Sequence, residues 1–166
     1  MDGKNVVILL FFSALLNGCK PSTDAAEQKS TVSEKEKIPL LESVQNAEWK
    51  QFEITSGKKP AEVGLMTTSL KKRLKNLLKH EYPSFEKDWN EETTIEISDN
   101  ILFTSGCQAG DCFANKYILI LDIADNNINV INFKYGSVRS WKERAVIGLP
   151  EKLLNLLEKI RKDQGL

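Results

Sequence analysis

The chain has 166 residues, with 23 basic and 23 acidic side chains, one histidine and three cysteines. This length fits one ordinary domain and excludes two large ones. Because the net charge is zero, the chain lacks a broad electropositive field for a phosphate backbone, and no nucleic-acid partner is expected. Only His80 is available for a histidine-rich zinc site or a Ser-His or Cys-His pair. The sequence predicts no metal, no cofactor and no catalytic residues.

Residues 1–18 are typical of an export signal. The run from Val6 to Leu16 is apolar except for Ser13. As a helix it would span about 16 Å, which is too short for a hydrocarbon core of about 30 Å. The segment is therefore predicted to be a cleaved signal peptide and not a transmembrane anchor.

The signal ends in Leu16-Asn17-Gly18-Cys19, which resembles the bacterial lipobox. This resemblance implies that Cys19 is acylated, becomes the mature N-terminus and holds the protein on a membrane. Lys20 follows instead of Asp, which by resemblance to Gram-negative sorting favours the outer membrane, facing the periplasm. The alternative is an ordinary cleaved signal followed by a free thiol.

Residues 19–38 comprise the predicted lipidated cysteine and a mostly polar stretch that lacks aromatic residues and a hydrophobic period, which is typical of a flexible tether. Residues 39–166 are predicted to form a single domain, large enough to fold unaided. Within it, residues 40–56 fit either an imperfect helix or, from Trp49 to Thr55, a strand.

A helix is predicted to begin at Thr68 or Ser69, either of which can serve as the N-cap, and to stop at Pro83. Its other side is basic, so it either faces solvent or contacts anionic lipid. The leucines predicted to share one face are Leu70, Leu74, Leu77 and Leu78.

Four apolar segments then predict an antiparallel meander: 93–98, 101–105, 117–123 and 128–133, with Asp99-Asn100 as a hairpin turn. After a less regular stretch, Pro150 can open a C-terminal helix. The prediction is an α+β domain, with four to five antiparallel strands flanked by an amphipathic helix before the sheet and a C-terminal helix. The apolar stripe predicted for the last helix comprises Leu153, Leu154, Leu156, Leu157 and Ile160.

The segment from Gly106 to Cys112 separates the second and third predicted strands. If lipid occupies Cys19, Cys107 and Cys112 remain as a local pair, which should oxidise in an exported protein. A bond across so short a loop stabilises by only about 2 kcal/mol, so stiffening a protruding tip is the better use for it. The alternative is a purely structural staple.

The cysteine-bracketed loop, set among strands in an exported protein, resembles that of the inhibitor of vertebrate lysozyme (Ivy) family. In that family the loop reads C-K-P-H-D-C and enters the lysozyme cleft. Cys107, Asp111 and Cys112 match the pattern, whereas Gln108, Ala109 and Gly110 replace its Lys, Pro and His. The resemblance implies that residues 108–111 form an inhibitory loop.

The three loop residues that differ from the family pattern change the expected target. The loop lacks a cationic anchor, so weak or no inhibition of c-type lysozyme is expected, and a bacterial muramidase or lytic transglycosylase fits better as the target. Gly110→His should improve inhibition if Gly110 does not have a positive φ angle.

Three functional hypotheses follow from the sequence. The first is a lipid-anchored envelope protein that restrains a peptidoglycan-cleaving enzyme of the lysozyme or muramidase class. The second is a non-inhibitory envelope interaction lipoprotein, such as an immunity or assembly factor, in which the loop is only a staple. The third is an enzyme with paired carboxylates, although nothing isolates such a pair among 23 acidic residues.

Overall fold

The computed structural model describes residues 49–166. The predicted signal peptide, the lipidation site Cys19 and the tether lie outside the described residues. Within the described part, no helix is long and apolar enough to cross a membrane. Trp49 and Lys50 are helical and a run of turns follows, so the strand alternative for Trp49 to Thr55 was wrong. Trp49 and Phe52 are nevertheless buried, because the turns bring both rings onto the core.

Helix α1 runs from Thr68 to Leu78. Its N-cap is Thr67, one residue before the earlier of the two predicted positions, and the Thr67 hydroxyl accepts a hydrogen bond from the Leu70 amide at 3.1 Å. Leu70, Leu74 and Leu78 are fully buried. The predicted helix and its apolar face are therefore confirmed.

Pro83 does not act as the predicted stop. A 3-10 turn, Lys79–Glu81, follows α1, and a second helix, α2, runs from Tyr82 to Asp88 with Pro83 in its first turn. A proline is tolerated there because the first amides of a helix have no partner within the helix. The chain thus bends at Lys79, where φ is +51°, and continues as helix.

Six antiparallel strands form one sheet, in the order β1-β3-β4-β5-β6 with β2 also paired to β3. The predicted meander is present, with a two-residue strand added at one margin and a six-residue strand at the other. The strands are β1 Glu91–Glu92, β2 Glu96–Ser98, β3 Ile101–Cys107, β4 Asn115–Asp122, β5 Asn127–Lys134 and β6 Ser137–Lys142.

The sheet separates two apolar layers. On one face Leu102, Leu119 and Leu121 pack against α1 and α2. On the other face Phe103, Ile118 and Ile120 pack against the C-terminal helix α3, Glu151–Asp163. Alternate side chains of each central strand point to opposite faces, and both faces are covered by helices, so β3 is buried along its whole length and β4 is apolar from Tyr117 to Leu121.

Helix α3 begins after Pro150, as predicted. Leu153 and Ile160 are buried, but Leu154 is exposed, so its place in the predicted apolar stripe was wrong. Leu154 follows Leu153 by one residue and therefore lies about 100° around the helix, away from the sheet. The α+β class and the arrangement of helices around an antiparallel sheet are confirmed.

Candidate functional site

Cys107 and Cys112 are joined by a disulfide, with their Cα atoms 5.0 Å apart. Cys107 is the last residue of β3 and is buried, whereas Cys112 lies in the connection to β4 and is half-buried. The bond closes the segment 107–112, called the disulfide loop below. Because one end of the loop belongs to a central strand, the rigid sheet fixes the base of the loop.

The tip of the disulfide loop is exposed at Gln108, Ala109 and Gly110. Its turn is made by the backbone, since the amide of Asp111 donates to the carbonyl of Gln108 at 2.9 Å. Gly110 has φ +78°, a left-handed conformation that favours glycine, and no atom lies within 4 Å of where its Cβ would be. The condition attached to the Gly110→His prediction is therefore not met.

Two side chains outside the disulfide loop hold it in place. Asn90, between α2 and β1, accepts a hydrogen bond from the Ala109 amide at 2.7 Å. Gln164, just after α3, donates to the carbonyl of Cys112 at 3.0 Å. Sequence reasoning missed both residues, because Gln164 is 52 positions from its partner and carries no local motif.

Gly106 lies in β3, opposite Tyr117 of β4, and does not belong to the turn that was predicted to begin there. The ring of Trp89 covers it so closely that an added Cβ would be 2.5 Å from a ring carbon. The Trp89 indole nitrogen donates to Glu92 at 2.8 Å, which fixes the ring. Glycine is thus required for close packing at the base of the disulfide loop.

A buried polar network supports the point where the chain leaves the disulfide loop. The Asp88 carboxylate accepts a hydrogen bond from the Asn115 side chain at 2.6 Å, and Asn132 donates to the other end of that amide at 2.7 Å. All three side chains are buried. Charge-assisted bonds in a dry interior are strong, so this network fixes the first residue of β4.

Tyr117 is fully buried beside this network, opposite Asn132 in the strand register. Within the described residues its hydroxyl has no hydrogen-bond partner. Burial, with the nearby charges of Asp88 and Glu81, raises the pKa of Tyr117 to about 12, against a smaller lowering by Arg139. The hydroxyl is therefore neutral under ordinary conditions.

Two aromatic side chains next to the disulfide loop are exposed. Phe113, directly after Cys112, is 72% exposed, and Tyr135, in the β5–β6 turn, is 73% exposed. The Tyr135 amide donates to the carbonyl of Ala114 at 2.9 Å, which brings the two segments together. No motif singled out these rings in the sequence.

The chemistry of the remaining candidates is limited. Glu91 offers a carboxylate oxygen within 4.8 Å of both loop sulfurs, but sulfurs bonded to each other are not thiolate ligands for a metal. His80 is exposed in the 3-10 turn, with Nε2 3.7 Å from Glu81. What the described residues do assemble is an exposed, disulfide-closed loop on an α+β scaffold.

A family model described as "Inhibitor of vertebrate lysozyme (Ivy)" matches residues 69–163, from the start of α1 to the end of α3. This is more than half of the chain and includes the whole disulfide loop. The chain therefore belongs to the Ivy family, and the predicted resemblance is confirmed. Neither a curated protein nor a solved structure matches. Membership assigns the chain to a family of lysozyme inhibitors and gives it a lysozyme-type target.

Proposed function

We propose that this protein is an envelope lipoprotein, anchored through an acylated Cys19, that inhibits a lysozyme-class enzyme by placing the disulfide loop in its cleft. The observation that carries the proposal is the exposed tip at Gln108, Ala109 and Gly110, held by a disulfide on a rigid strand. A loop already fixed in one conformation loses little entropy when it docks. The protein acts on the enzyme as an inhibitor and performs no chemistry of its own.

The loop offers two uncharged donors to a cleft that contains carboxylates. One is the side-chain amide of Gln108, which is exposed. The other is the backbone amide of Gly110, which has no hydrogen-bond partner among the described residues. In such clefts one carboxyl group is ionised and accepts these donors, while the other is protonated and can donate to the carboxylate of Asp111.

The test is the inhibition constant of the full-length protein against a c-type lysozyme, a bacterial muramidase and a lytic transglycosylase. Gln108→Ala and Asp111→Ala should each weaken inhibition by roughly tenfold, the value of one hydrogen bond to a charged group. Gln51→Ala and Asp125→Ala are matched controls, because they remove the same side chains from exposed positions in other parts of the domain. Equal inhibition by all five proteins would contradict the role of the loop.

The anchor is tested separately, by labelling with a fatty-acid analogue. We expect label on the wild-type chain and none on Cys19→Ala, with the mature chain beginning at residue 19. A wild-type chain that retains Met1 and takes up no label would contradict the lipoprotein assignment. An outer-membrane location facing the periplasm is part of the same proposal and is tested by fractionation of labelled envelopes.

The amino-acid composition of the disulfide loop favours one alternative function. Gln108, Ala109 and Gly110 provide no cation for a cleft carboxylate, which fits an envelope interaction lipoprotein without inhibitory activity, such as an immunity or assembly factor. That candidate predicts no inhibition of any of the three enzymes and stable capture of a different envelope protein. The inhibition assay therefore separates the two candidates directly.

A further inference from the structure

We propose that Phe113 and Tyr135, called the aromatic pair below, form a second, apolar contact with the glycan-binding cleft of the target enzyme. The inference rests on the proposed function and assigns affinity to residues outside the disulfide loop. It commits to one occupant, the wall of a cleft that holds a polysaccharide strand. Such clefts are lined largely by apolar and aromatic surface, because sugar rings present C–H faces to them.

Exposure sets the aromatic pair apart. Among residues 49–166, Phe113 and Tyr135 are the aromatic residues in the group of exposed large hydrophobic side chains, and the other members of that group are aliphatic. A ring that is more than 70% exposed contributes little to the core. The fold therefore gives no reason for an aromatic residue at either position.

The aromatic pair is continuous with the disulfide loop. Phe113 is bonded to Cys112, and the hydrogen bond from Tyr135 to Ala114 extends the β4–β5 ladder by one step beyond the Asn115–Lys134 pair. Both residues thus lie at the end of the sheet from which the loop projects. A surface that meets the loop must approach this end of the domain.

Tyr135 also occupies a backbone conformation that does not suit it. Lys134 pairs with Ser137, so Tyr135 and Gly136 form a two-residue hairpin turn, with φ +48° and +74°. Positive φ at both positions is the signature of a type I′ turn, for which Asn-Gly is preferred. Strain in an exposed residue that the core does not use is typical of a functional position.

Charge explains why an aromatic contact suits this chain. The loop tip has no cation to pair with an ionised cleft carboxylate. Uncharged rings are not repelled by that carboxylate, and buried aromatic residues supply much of the affinity of protein interfaces. Phe113 and Tyr135 therefore provide the binding energy that a charged loop residue would otherwise supply.

The decisive variant is Tyr135→Asn in the full-length protein, because its effects on folding and on binding are opposite. It restores Asn-Gly to the turn and should raise the Tm by about 4 °C. It should also weaken inhibition of the most strongly inhibited of the three enzymes by roughly tenfold or more. Phe113→Ala should weaken inhibition to a similar extent with an unchanged Tm, whereas Tyr135→Phe should retain it.

Matched controls come from exposed aliphatic residues away from the loop. Ile54 is 86% exposed and Val146 is 73% exposed, and Ile54→Ala and Val146→Ala should leave inhibition unchanged. If Phe113→Ala and Tyr135→Asn inhibit like wild type while Gln108→Ala inhibits less, the aromatic contact is wrong and the proposed function stands. If the wild-type protein inhibits none of the enzymes, both are wrong. A lower molecular mass of Tyr135→Asn in sedimentation, with unchanged inhibition, would assign the rings to self-association and overturn the proposal.

Discussion

Each end of the β-sheet has a hairpin turn with two positive φ angles. The disulfide loop projects from one end, called the loop end, and the opposite end is called the far end. The two turns use different residues. At the far end, the turn Asp99-Asn100 has φ +50° and +63°, and Ile123 donates to the carbonyl of Asn100, so the β4–β5 turn lies beside it. At the loop end, the turn Tyr135-Gly136 also has two positive φ angles, +48° and +74°. Asp and Asn tolerate the left-handed region, whereas tyrosine does so at a cost.

The polar groups of the far end are used internally. Arg73 donates to Asn126 and pairs with Glu143, and the Asp122 carboxylate accepts from the Asp125 amide at 2.8 Å. The loop end instead has two exposed aromatic rings and a half-buried Asp111 whose carboxylate has no hydrogen bond in the described part of the chain. The far end therefore uses these polar side chains within the fold, whereas Phe113, Tyr135 and the Asp111 carboxylate at the loop end have no such internal use.

Gly106→Ala should lower the free energy of unfolding most, because it disrupts the packing of the Trp89 ring at the base of the disulfide loop. The new Cβ would lie 2.5 Å from the Trp89 ring, so the ring or the strand must shift. We expect a loss of about 3 kcal/mol, the upper range for overpacking a core, measured by chemical unfolding. Gly148→Ala is the control, since nothing lies within 4 Å of its added Cβ. Equal stability of the two variants would mean that the Trp89 ring moves freely.

Removing the disulfide should cost less stability and more function. Cys107→Ser with Cys112→Ser releases a short loop, for which chain entropy predicts about 2 kcal/mol. Inhibition should fall further than stability implies, because binding must then order a flexible loop. Inhibition constants at a temperature where both proteins are folded separate the two effects. Unchanged inhibition by the folded double variant would make the bond a staple only.

The loop end should also be the more sensitive to alkali. The pKa of Tyr117 rises from 10.0 to about 12 on folding, so the folded state favours the protonated phenol. Its contribution to stability is present below pH 10 and is lost as the pH rises toward 12. Tyr117→Phe should remove this loss, of about 2 kcal/mol, in unfolding measured at pH 9 and pH 11.5. Parallel pH profiles for the two proteins would show that Tyr117 does not titrate differently on folding.

Asn100→Tyr places a tyrosine with positive φ at the far end, which reproduces there the strain of Tyr135 at the loop end. Tyrosine at φ +63° should lower the free energy of unfolding by about 1 kcal/mol, and Asn100→Gly should not lower it. Because no partner is expected at the far end, inhibition should be the same for both. A changed inhibition constant for Asn100→Tyr would mean that the target also reaches this end of the sheet.

Local patterns were enough to predict most of the fold. The leucines of α1, the Asp99-Asn100 turn and the apolar strand β4 each obey a short-range rule, and all three appear where predicted. The errors came where tertiary contacts override that rule. The sequence predicts a stop at Pro83 because it does not reveal that a new helix begins one residue earlier.

The site was predictable only in its covalent part. Cys107 and Cys112 are close in sequence, and their pairing needs no knowledge of the fold. The supports of the loop, Asn90 and Gln164, and the contact of Trp89 with Gly106 depend on how distant segments meet. The conformation of Gly110 was also beyond sequence reasoning, since glycine adopts positive and negative φ with similar ease.

Gly110→His tests the smallest difference, between a loop tip that offers only a backbone donor and one that adds a side chain. Since Gly110 has φ +78°, any side chain there is strained, and both Gly110→His and Gly110→Ala should lose about 1 kcal/mol of stability. The strain is common to the two variants and cancels when they are compared with each other. The imidazole adds one charge-assisted hydrogen bond to a cleft carboxylate, so the histidine variant should inhibit a c-type lysozyme about tenfold better than the alanine variant. Relative to wild type the strain offsets this gain, because a strained loop relaxes in the free protein and must return to the bound conformation on docking. Equal inhibition by the two variants, with both folded in thermal melts, would mean that residue 110 does not reach the cleft carboxylates.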